Sequence, residues 1–458
     1  MTNTLYLPEL REMLAENDTA ELREFCVALH AARTAEFMEG LTAEECWAVL
    51  QHADASTRAE IFSYFDRDKQ VEIIESADRD SIGKLIADLP PDDRVDILKA
   101  VRPEIVDELL PFIPAFDRRD ILRLKSYPEG TAGAMMTTSY AKIGEGLTVK
   151  QALEEIGRQA QELETIYYVY IVDDHDHLRG LVSARQLVSA MGKPLTKIDD
   201  LMECDLVTAN VDDDQEKVAQ EVARYDLHAI PVLDDERHML GIITHDDVID
   251  VFSAEATEDV YRMGAVAPLV ENYLEADFRT IWWKRSVWLS CLFVAEIFTF
   301  TALAHFDEAI KQVVALALFV PLCISTGGNS GSQAATLITR AMALGQVTMG
   351  DWWRVLRHEL LMGLALGCTL GCIGFVRAYF TPSEILGDAD AFGFAVVISL
   401  SVTAICIWGT LVGSMLPLIF RRFGFDPGYA SSPFVATFVD VTGIFIYFSL
   451  AQLYLLPK

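Results

Sequence analysis

The chain reads as a multidomain membrane protein in which an all-α superhelical domain (1–132), an α/β domain (133–255), a connecting helix (256–280) and a five-helix α-helical membrane domain (281–458) follow one another. Three observations predict this order. Charge is split: residues 281–458 carry as many acidic as basic side chains, so the whole net charge of −31 over 458 residues belongs to the first half. Five apolar stretches of membrane length lie in the second half, near Ile281–Leu303, Val313–Leu337, Leu360–Phe380, Phe394–Phe420 and Pro433–Leu456, each close to the ~20 residues that a bilayer requires. Between the two, one sequence pattern occurs twice.

The first segment reads as short amphipathic helices. Apolar residues recur at helical spacing in Ile61-Phe62-x-x-Phe65 and in Val95-x-Ile97-Leu98-x-x-Val101, and prolines at 90, 91, 103, 111 and 114 punctuate them. The similar helix–turn units suggest a small superhelical array without a strict period. Asp92 and Asp93 follow Pro90-Pro91 at a helix start, where the macrodipole favours carboxylates.

The second segment contains the repeat. Asp173, Gly180 and Ser183 map onto Asp234, Gly241 and Thr244 at a constant offset. Each copy runs as an apolar strand (Val169–Val172, Ile230–Leu233), a polar turn, a second strand ending in Ser or Thr, and a helix. This resembles a tandem pair of CBS domains, a pseudo-twofold unit that often binds adenine nucleotides. The resemblance implies that Thr244 and Asp247 meet a ribose and Arg185 a phosphate; the alternative is that Thr244 caps its helix with Asp247 completing a capping-box-like start.

In the connecting segment Glu255, Glu258 and Asp259 share a helix face at i,i+3 and i,i+4. Like charges at that spacing destabilise a helix unless something positive lies between them. A first half this acidic excludes nucleic-acid binding by phosphate neutralisation. It is either a solubility device or a cation-binding surface, because crowded carboxylates repel unless a metal screens them.

Two membrane stretches are interrupted. Asp440 lies inside the last one, flanked by Thr437, Thr442 and Gly443, and a carboxylate at membrane depth costs about 2.5–3.5 kcal/mol even on lenient scales. The second stretch carries Gly327-Gly328-Asn329-Ser330-Gly331-Ser332-Gln333, too polar for a plain lipid-facing helix. Together they predict a path for a hydrophilic solute. Gly363, Gly367 and Gly371 match the close-packing helix motif. Cys368 and Cys372, one turn apart, are expected as packing residues, and Glu359 as a boundary residue that snorkels.

With the amino terminus inside, the inner flanks hold Lys284, Arg285, Arg340, Arg354, Arg357, Arg421 and Arg422, and the outer flanks only Lys311, Arg377 and Lys458. This predicts a plasma-membrane protein with a cytosolic first half and an outside carboxyl terminus. Met1–Leu10 lacks a basic region followed by an apolar one, so no signal peptide is expected. The eight cysteines form no Cys-x-x-Cys pair and fit a reducing cytosol. No P-loop Gly-Lys-Ser/Thr or Asp-Lys-Thr-Gly-Thr appears and the histidines are scattered, so neither an enzyme nor an ATP-driven pump is expected.

Almost the full length is similar to the MgtE family of magnesium channels and transporters. The motifs are Leu89-Pro90-Pro91-Asp92-Asp93, Tyr127-Pro-Glu-Gly-Thr-Ala-Gly-Ala-Met135-Met136, the paired repeat, Glu255-Ala-Thr-Glu258-Asp259, Pro321…Gly327-Gly328-Asn329-x-Gly331-x-Gln333-x-Ala335-Thr336 and Asp426-Pro427…Pro433-Phe-Val-Ala436-Thr437-x-x-Asp440-Val-Thr442-Gly443. The resemblance implies a homodimer whose pore runs between two five-span domains. Asp440 would select Mg²⁺, supported by Asn329 and the Ala436 carbonyl, with Asp426 at the cytosolic mouth and Asp307 and Glu308 at the outer one. Ser432, where some relatives carry Asn, and Glu296 receive no role. It also implies gating by cytosolic Mg²⁺ held at Glu60, Asp92, Asp93, Asp96, Asp214, Glu216, Asp226, Asp247, Asp250, Glu255, Glu258 and Asp259, with ATP as a modulator. The competing expectations are a CBS-regulated carrier of another divalent cation or solute, and a membrane-tethered magnesium sensor that conducts nothing.

Overall fold

In a computed structural model the described residues are 5–160, 163, 165–269, 273, 276–387 and 389–455; Leu456 and Lys458, expected in the last span and its outer flank, lie outside them. They divide into two compact units, Met1–Ser253 and Ala254–Lys458.

The first unit begins with ten short α-helices between Leu7 and Leu124. Part of the acidic content here serves as helix caps. Asp18 accepts from the amides of Ala20 and Glu21 (both 3.1 Å), Asp54 from Thr57 (3.0 Å) and Asp78 from Ser81 (3.0 Å), and Thr42 forms a capping box with Glu45. The inward faces supply a continuous apolar core running from Leu10 through Phe62 and Ile86 to Leu124 and onward into Val218, Ile230 and Ile243 of the α/β domain. Arg94 is buried within it, donating to Asp117 (2.9 Å) and to the carbonyls of Ala87 (2.9 Å) and Leu89 (2.7 Å), which fixes the turn ahead of Pro90-Pro91.

The repeat folds as two three-stranded sheets, β1 (Tyr140–Gly144), β2 (Thr165–Val172) and β3 (Leu178–Ser183), then β4 (Ala209–Asn210), β5 (Ala229–Leu233) and β6 (Met239–Thr244). In each, the first strand pairs parallel and the last antiparallel to the middle one, and Tyr168↔Ser183 recurs as Ala229↔Thr244. The lead-in segments are exchanged: Thr137 pairs with Ile242 of the second copy, and Glu203 with Leu181 of the first. Gly180 and Gly241 make room for them. A Cβ at Gly180 would lie 2.8 Å from the Glu203 carbonyl oxygen, and one at Gly241 2.6 Å from that of Thr137.

The second unit contains five long helices, Phe278–His305, Ala315–Ala343, Trp352–Tyr379, Ala391–Arg422 and Ser432–Tyr454. Four segments, Phe278–His305, Met349–Tyr379, Ala391–Arg422 and Ser432–Tyr454, are long and apolar enough to cross a membrane by length and composition. The fifth expected span, in Ala315–Ala343, falls short because its middle carries the Gly/Ser/Asn/Gln stretch. Gly363, Gly367 and Gly371 pack as expected: Cβ atoms there would lie 2.9 Å from Ile407 Cα, Thr403 Cα and the Ser399 carbonyl oxygen respectively. Two boundary readings need correction. Glu359 does not snorkel; it lies one turn before Gly363 on the packed face and is only 7 % exposed. Cys368 and Cys372 are exposed and so do not pack inside the unit.

Candidate functional site in the membrane unit and the acidic surface

Tight backbone contact sets the geometry around Asp440. Gly327 and Gly331 of Ala315–Ala343 meet Gly409 and Gly413 of Ala391–Arg422, where a Cβ at Gly331 would lie 2.7 Å from the Gly409 carbonyl oxygen. Nothing larger than glycine fits this crossing without displacing a helix. Gly328, turned toward Ser432–Tyr454, then faces Asp440: a Cβ there would sit 3.4 Å from Asp440 Oδ1 and 3.5 Å from Ala436 Cα. Tyr447 fastens the same helix pair by donating to the Leu316 carbonyl (2.9 Å), and Ser332 donates to that of Ser432 (3.1 Å).

The expected pore residues Asp440 and Ala436 therefore lie together against Gly328. Asp440 is half-buried, and among the described residues no cation pairs with it. The Glu296 carboxylate of the first membrane helix is close enough to act on it electrostatically. Asn329 is exposed, its amide 3.4 Å from the Ser325 hydroxyl. Ser325, Asn329, Gln333 and Thr336 are all exposed and, at spacings of four, four and three, share one face. Asp307 and Glu308 are exposed at the far end, where Asp307 pairs with Lys311.

Asp426 lies in the loop ahead of the last helix. It accepts from the Gly428 amide (2.6 Å), starting the turn Pro427–Tyr429, and pairs with Arg262. Arg262 also pairs with Glu258, and its guanidinium stands 5.7 Å from the Tyr429 ring centre. So the acidic face of the helix His245–Met263 meets a protein cation, which the sequence reading overlooked although Glu258 and Arg262 stand at the favourable i,i+4 spacing. Partial burial, then repulsion by Glu255, pushes the Asp259 carboxyl above its ordinary value, with Arg262 and Arg340 opposing.

On the first unit Asp93 turns toward Asp246 and Asp250. Its carboxylate keeps an exposed edge but is set deep among protein atoms, and that enclosure, then the charges of Asp96, Asp246 and Asp250, pushes its pKa up against the pull of Arg67. Asp247 is pushed up to about 6, first by burial, then by Asp246 and Asp93, although Thr244 holds the charged form. Asp246 is a second member that the sequence reading missed beside Asp247. The other expected residues are more dispersed. Glu60 and Asp250 are exposed, Asp92 is half-buried in the first turn of its helix, and Asp96 pairs with Lys99 (3.0 Å). Asp214 caps Gln215–Arg224, Glu216 accepts from Gln220 (3.1 Å), and Asp226 has a left-handed backbone (φ 51°). Among the described residues no three His, Cys, Asp or Glu side chains converge as a ready metal site.

At the repeat, the Thr244 hydroxyl donates to Asp247 Oδ2 (2.5 Å) and the Thr244 amide to the same oxygen (3.3 Å), so the capping arrangement is present. Ser183 and Gln186 form its counterpart. Arg185 is exposed. Tyr167 and Tyr168 lie 5.3 and 6.2 Å from His228, and His245 6.4 Å from it, an aromatic cluster on which a nucleobase could stack; no motif in the sequence marked it.

The membrane half matches the MgtE divalent cation transporter model over residues 320–450; the MgtE intracellular N domain matches 29–130 and the CBS domain 132–193 and 198–254. A magnesium transporter MgtE of Thermus thermophilus is 37 % identical over 451 residues, covering 97 % of this chain and 98 % of that protein. The chain belongs to the MgtE family. An MgtE magnesium transporter of Enterococcus faecalis is 34 % identical, covering 72 % of this chain and 71 % of its own. Among solved structures, the cytosolic domain of the Mg²⁺ channel MgtE in complex with ATP is 34 % identical, with a TM-score of 0.50, over 53 % of this chain and 98 % of its own.

Proposed function

We propose that this chain imports Mg²⁺ across the plasma membrane as a homodimeric channel or transporter. The likeness over 97 % of its length to a magnesium transporter carries this reading. The half-buried Asp440, with which no cation pairs among the described residues, lies against Gly328 beside an exposed polar helix face and supports it. A lipid-facing row of Ser325, Asn329, Gln333 and Thr336 would leave polar groups unsatisfied, so the row faces a second copy or water. Mg²⁺ gives up its waters reluctantly and prefers octahedral geometry. In our reading Asp440 from each subunit holds the hydrated ion through its water shell, Asn329 and the Ala436 carbonyl assist, and Asp426 receives it at the cytosolic mouth. The soluble half is cytosolic and the carboxyl terminus outside.

Gating follows from the carboxylates. Glu255, Glu258 and Asp259 on the connecting helix, together with Asp92, Asp93, Asp96, Asp214, Glu216, Asp226, Asp247, Asp250 and Glu60, repel one another until cytosolic Mg²⁺ bridges them and closes the pore. Several weak ions together supply the ~5.5 kcal/mol needed for a full population swing. ATP binds at the repeat, its base stacked at Tyr167 and His228, with Thr244 and Asp247 at the ribose and Arg185 at the phosphates. The domain division is 1–132, 133–255, 256–280 and 281–458.

Proteoliposomes loaded with a Mg²⁺ indicator and challenged with Mg²⁺, Mn²⁺, Co²⁺ and Ni²⁺ in turn test the reading. Mg²⁺ influx that falls when millimolar Mg²⁺ bathes the soluble half is expected. Absence of influx for all four ions would leave the non-conducting sensor.

A further inference from the structure

We propose that the amino-terminal end of the first membrane helix holds one anionic phospholipid, its phosphate at Lys284 and Trp288 and one acyl chain along the last helix. This rests on Phe278–His305 being embedded in a bilayer, not on which ion is transported. A 330 Å³ cleft is lined by Arg262, Trp283, Lys284, Val287, Trp288 and Tyr429. Among the described residues no acidic side chain lines it. Glu258 and Asp426 take up the charge of Arg262, whereas Lys284, among the described residues, donates to the neutral carbonyl of Pro268 and pairs with no carboxylate. Among the described residues, then, nothing compensates the charge of Lys284 at the cleft. Trp288 adds a buried indole N–H that has no hydrogen-bond partner among the described residues, its ring 6.3 Å from Tyr429. An unsatisfied donor beside the Lys284 ammonium suits a phosphodiester at the membrane interface, and the positive charge of Lys284 favours a headgroup that carries no cation of its own over choline.

The second observation is what lies beyond Trp288. The same ring opens into a 260 Å³ groove walled by Leu292, Ala295, Phe298, Phe434, Phe438 and Val441. From Trp288 to Phe298 a helix rises about 15 Å, half of the ~30 Å hydrocarbon thickness and so the depth of one leaflet. A largely apolar cleft with a cation in its wall, sharing Trp288 with an apolar groove one leaflet long, matches a phospholipid rather than a soluble phosphate. The groove borders Thr437 and Thr442, on either side of Asp440, so the chain would lie against the helix that carries the pore carboxylate.

Native mass spectrometry of the full-length protein, titrated with phosphatidylglycerol, phosphatidylcholine of the same acyl chains and glycerol phosphate, tests this. One phosphatidylglycerol per chain should be retained in preference to phosphatidylcholine, and glycerol phosphate should not displace it. Lys284→Gln should cut that preference by about five-fold, the effect of one cation near a membrane surface. Ala295→Trp, which fills the groove, should reduce retention of phosphatidylglycerol, while Lys311→Gln in the short helix Asp307–Gln312 beyond it should not. Should Ala295→Trp fail to fold, Lys284→Gln decides alone. Equal binding of the two lipids, unchanged retention in Lys284→Gln, or displacement by glycerol phosphate would overturn the proposal.

Discussion

Two helices of the membrane unit both carry hydroxyl and small polar residues but place many of them differently. In Ala391–Arg422, Ser401, Thr410 and Ser414 are wholly or almost wholly buried, and the hydroxyls of Thr410 and Ser414 donate to carbonyls of their own helix, Ile407 (3.0 Å) and Leu411 (3.2 Å). In Ala315–Ala343 the buried Ser330 behaves likewise toward Gly327 (3.1 Å), yet Ser325, Asn329, Gln333 and Thr336 stay exposed on another face. A polar residue satisfied by its own backbone is packing; a row left exposed at membrane depth needs water or protein beside it. On the proposed function, burial rather than the presence of polar residues separates scaffold from path.

The sharpest break in this contrast is steric. Gly413→Leu should prevent recovery of folded protein, because its side chain would enter the backbone of Gly331, whereas Asn329→Leu should leave a monodisperse, folded protein. Size-exclusion profiles of the two variants check this, and the reverse ranking would undo the division. Asn329→Leu combined with Gln333→Leu should then lower Mg²⁺ flux at least tenfold, about 1.4 kcal/mol, with little change in melting temperature.

A smaller effect is expected where the units of charge meet. Arg262→Gln removes the cation from between Glu258 and Asp426, so repulsion in the absence of Mg²⁺ should grow. Flux at micromolar Mg²⁺ should rise severalfold, with closure at millimolar Mg²⁺ retained. Identical Mg²⁺ dependence in variant and wild type would remove Arg262 from the gate.

The smallest effect concerns the repeat, where His177 and His238 stack 4.4 Å apart, each ring beside its own aspartate, Asp173 or Asp234. The hydrogen bond to Asp234, foremost, holds the His238 proton above its ordinary pKa, with Glu236 and Asp173 adding to it. A raised histidine contributes stability that is complete below pH 6.5 and lost as pH rises through the folded value. The His238 ring should titrate above 6.5 by NMR and return toward it in Asp234→Asn; an unmoved midpoint would contradict the pairing.

Much of this was legible in the residues because each signal has one dominant cause. The recurrence of Asp173-to-Ser183 as Asp234-to-Thr244 fixed the two-sheet repeat, and Asp440 stood out because charge is costly in lipid. Features made by the approach of distant segments were not legible. The partners of Gly327, Gly331, Gly409 and Gly413 depend on a helix crossing that no spacing encodes, and the glycines at 409 and 413 drew no notice. Glu359 looked like a boundary residue because its neighbours Arg357 and His358 are polar, and only the packing of its face buried it. Arg262 was hidden because its second partner, Asp426, is far away in sequence.

The central claim is that Asp440 is the charge the ion passes. Mg²⁺ influx into proteoliposomes containing wild type, Asp440→Asn and Asp440→Ala, each verified as folded by its melting curve, tests it most directly. Loss of influx in both variants at unchanged melting temperature is predicted; wild-type influx through folded Asp440→Ala would contradict it.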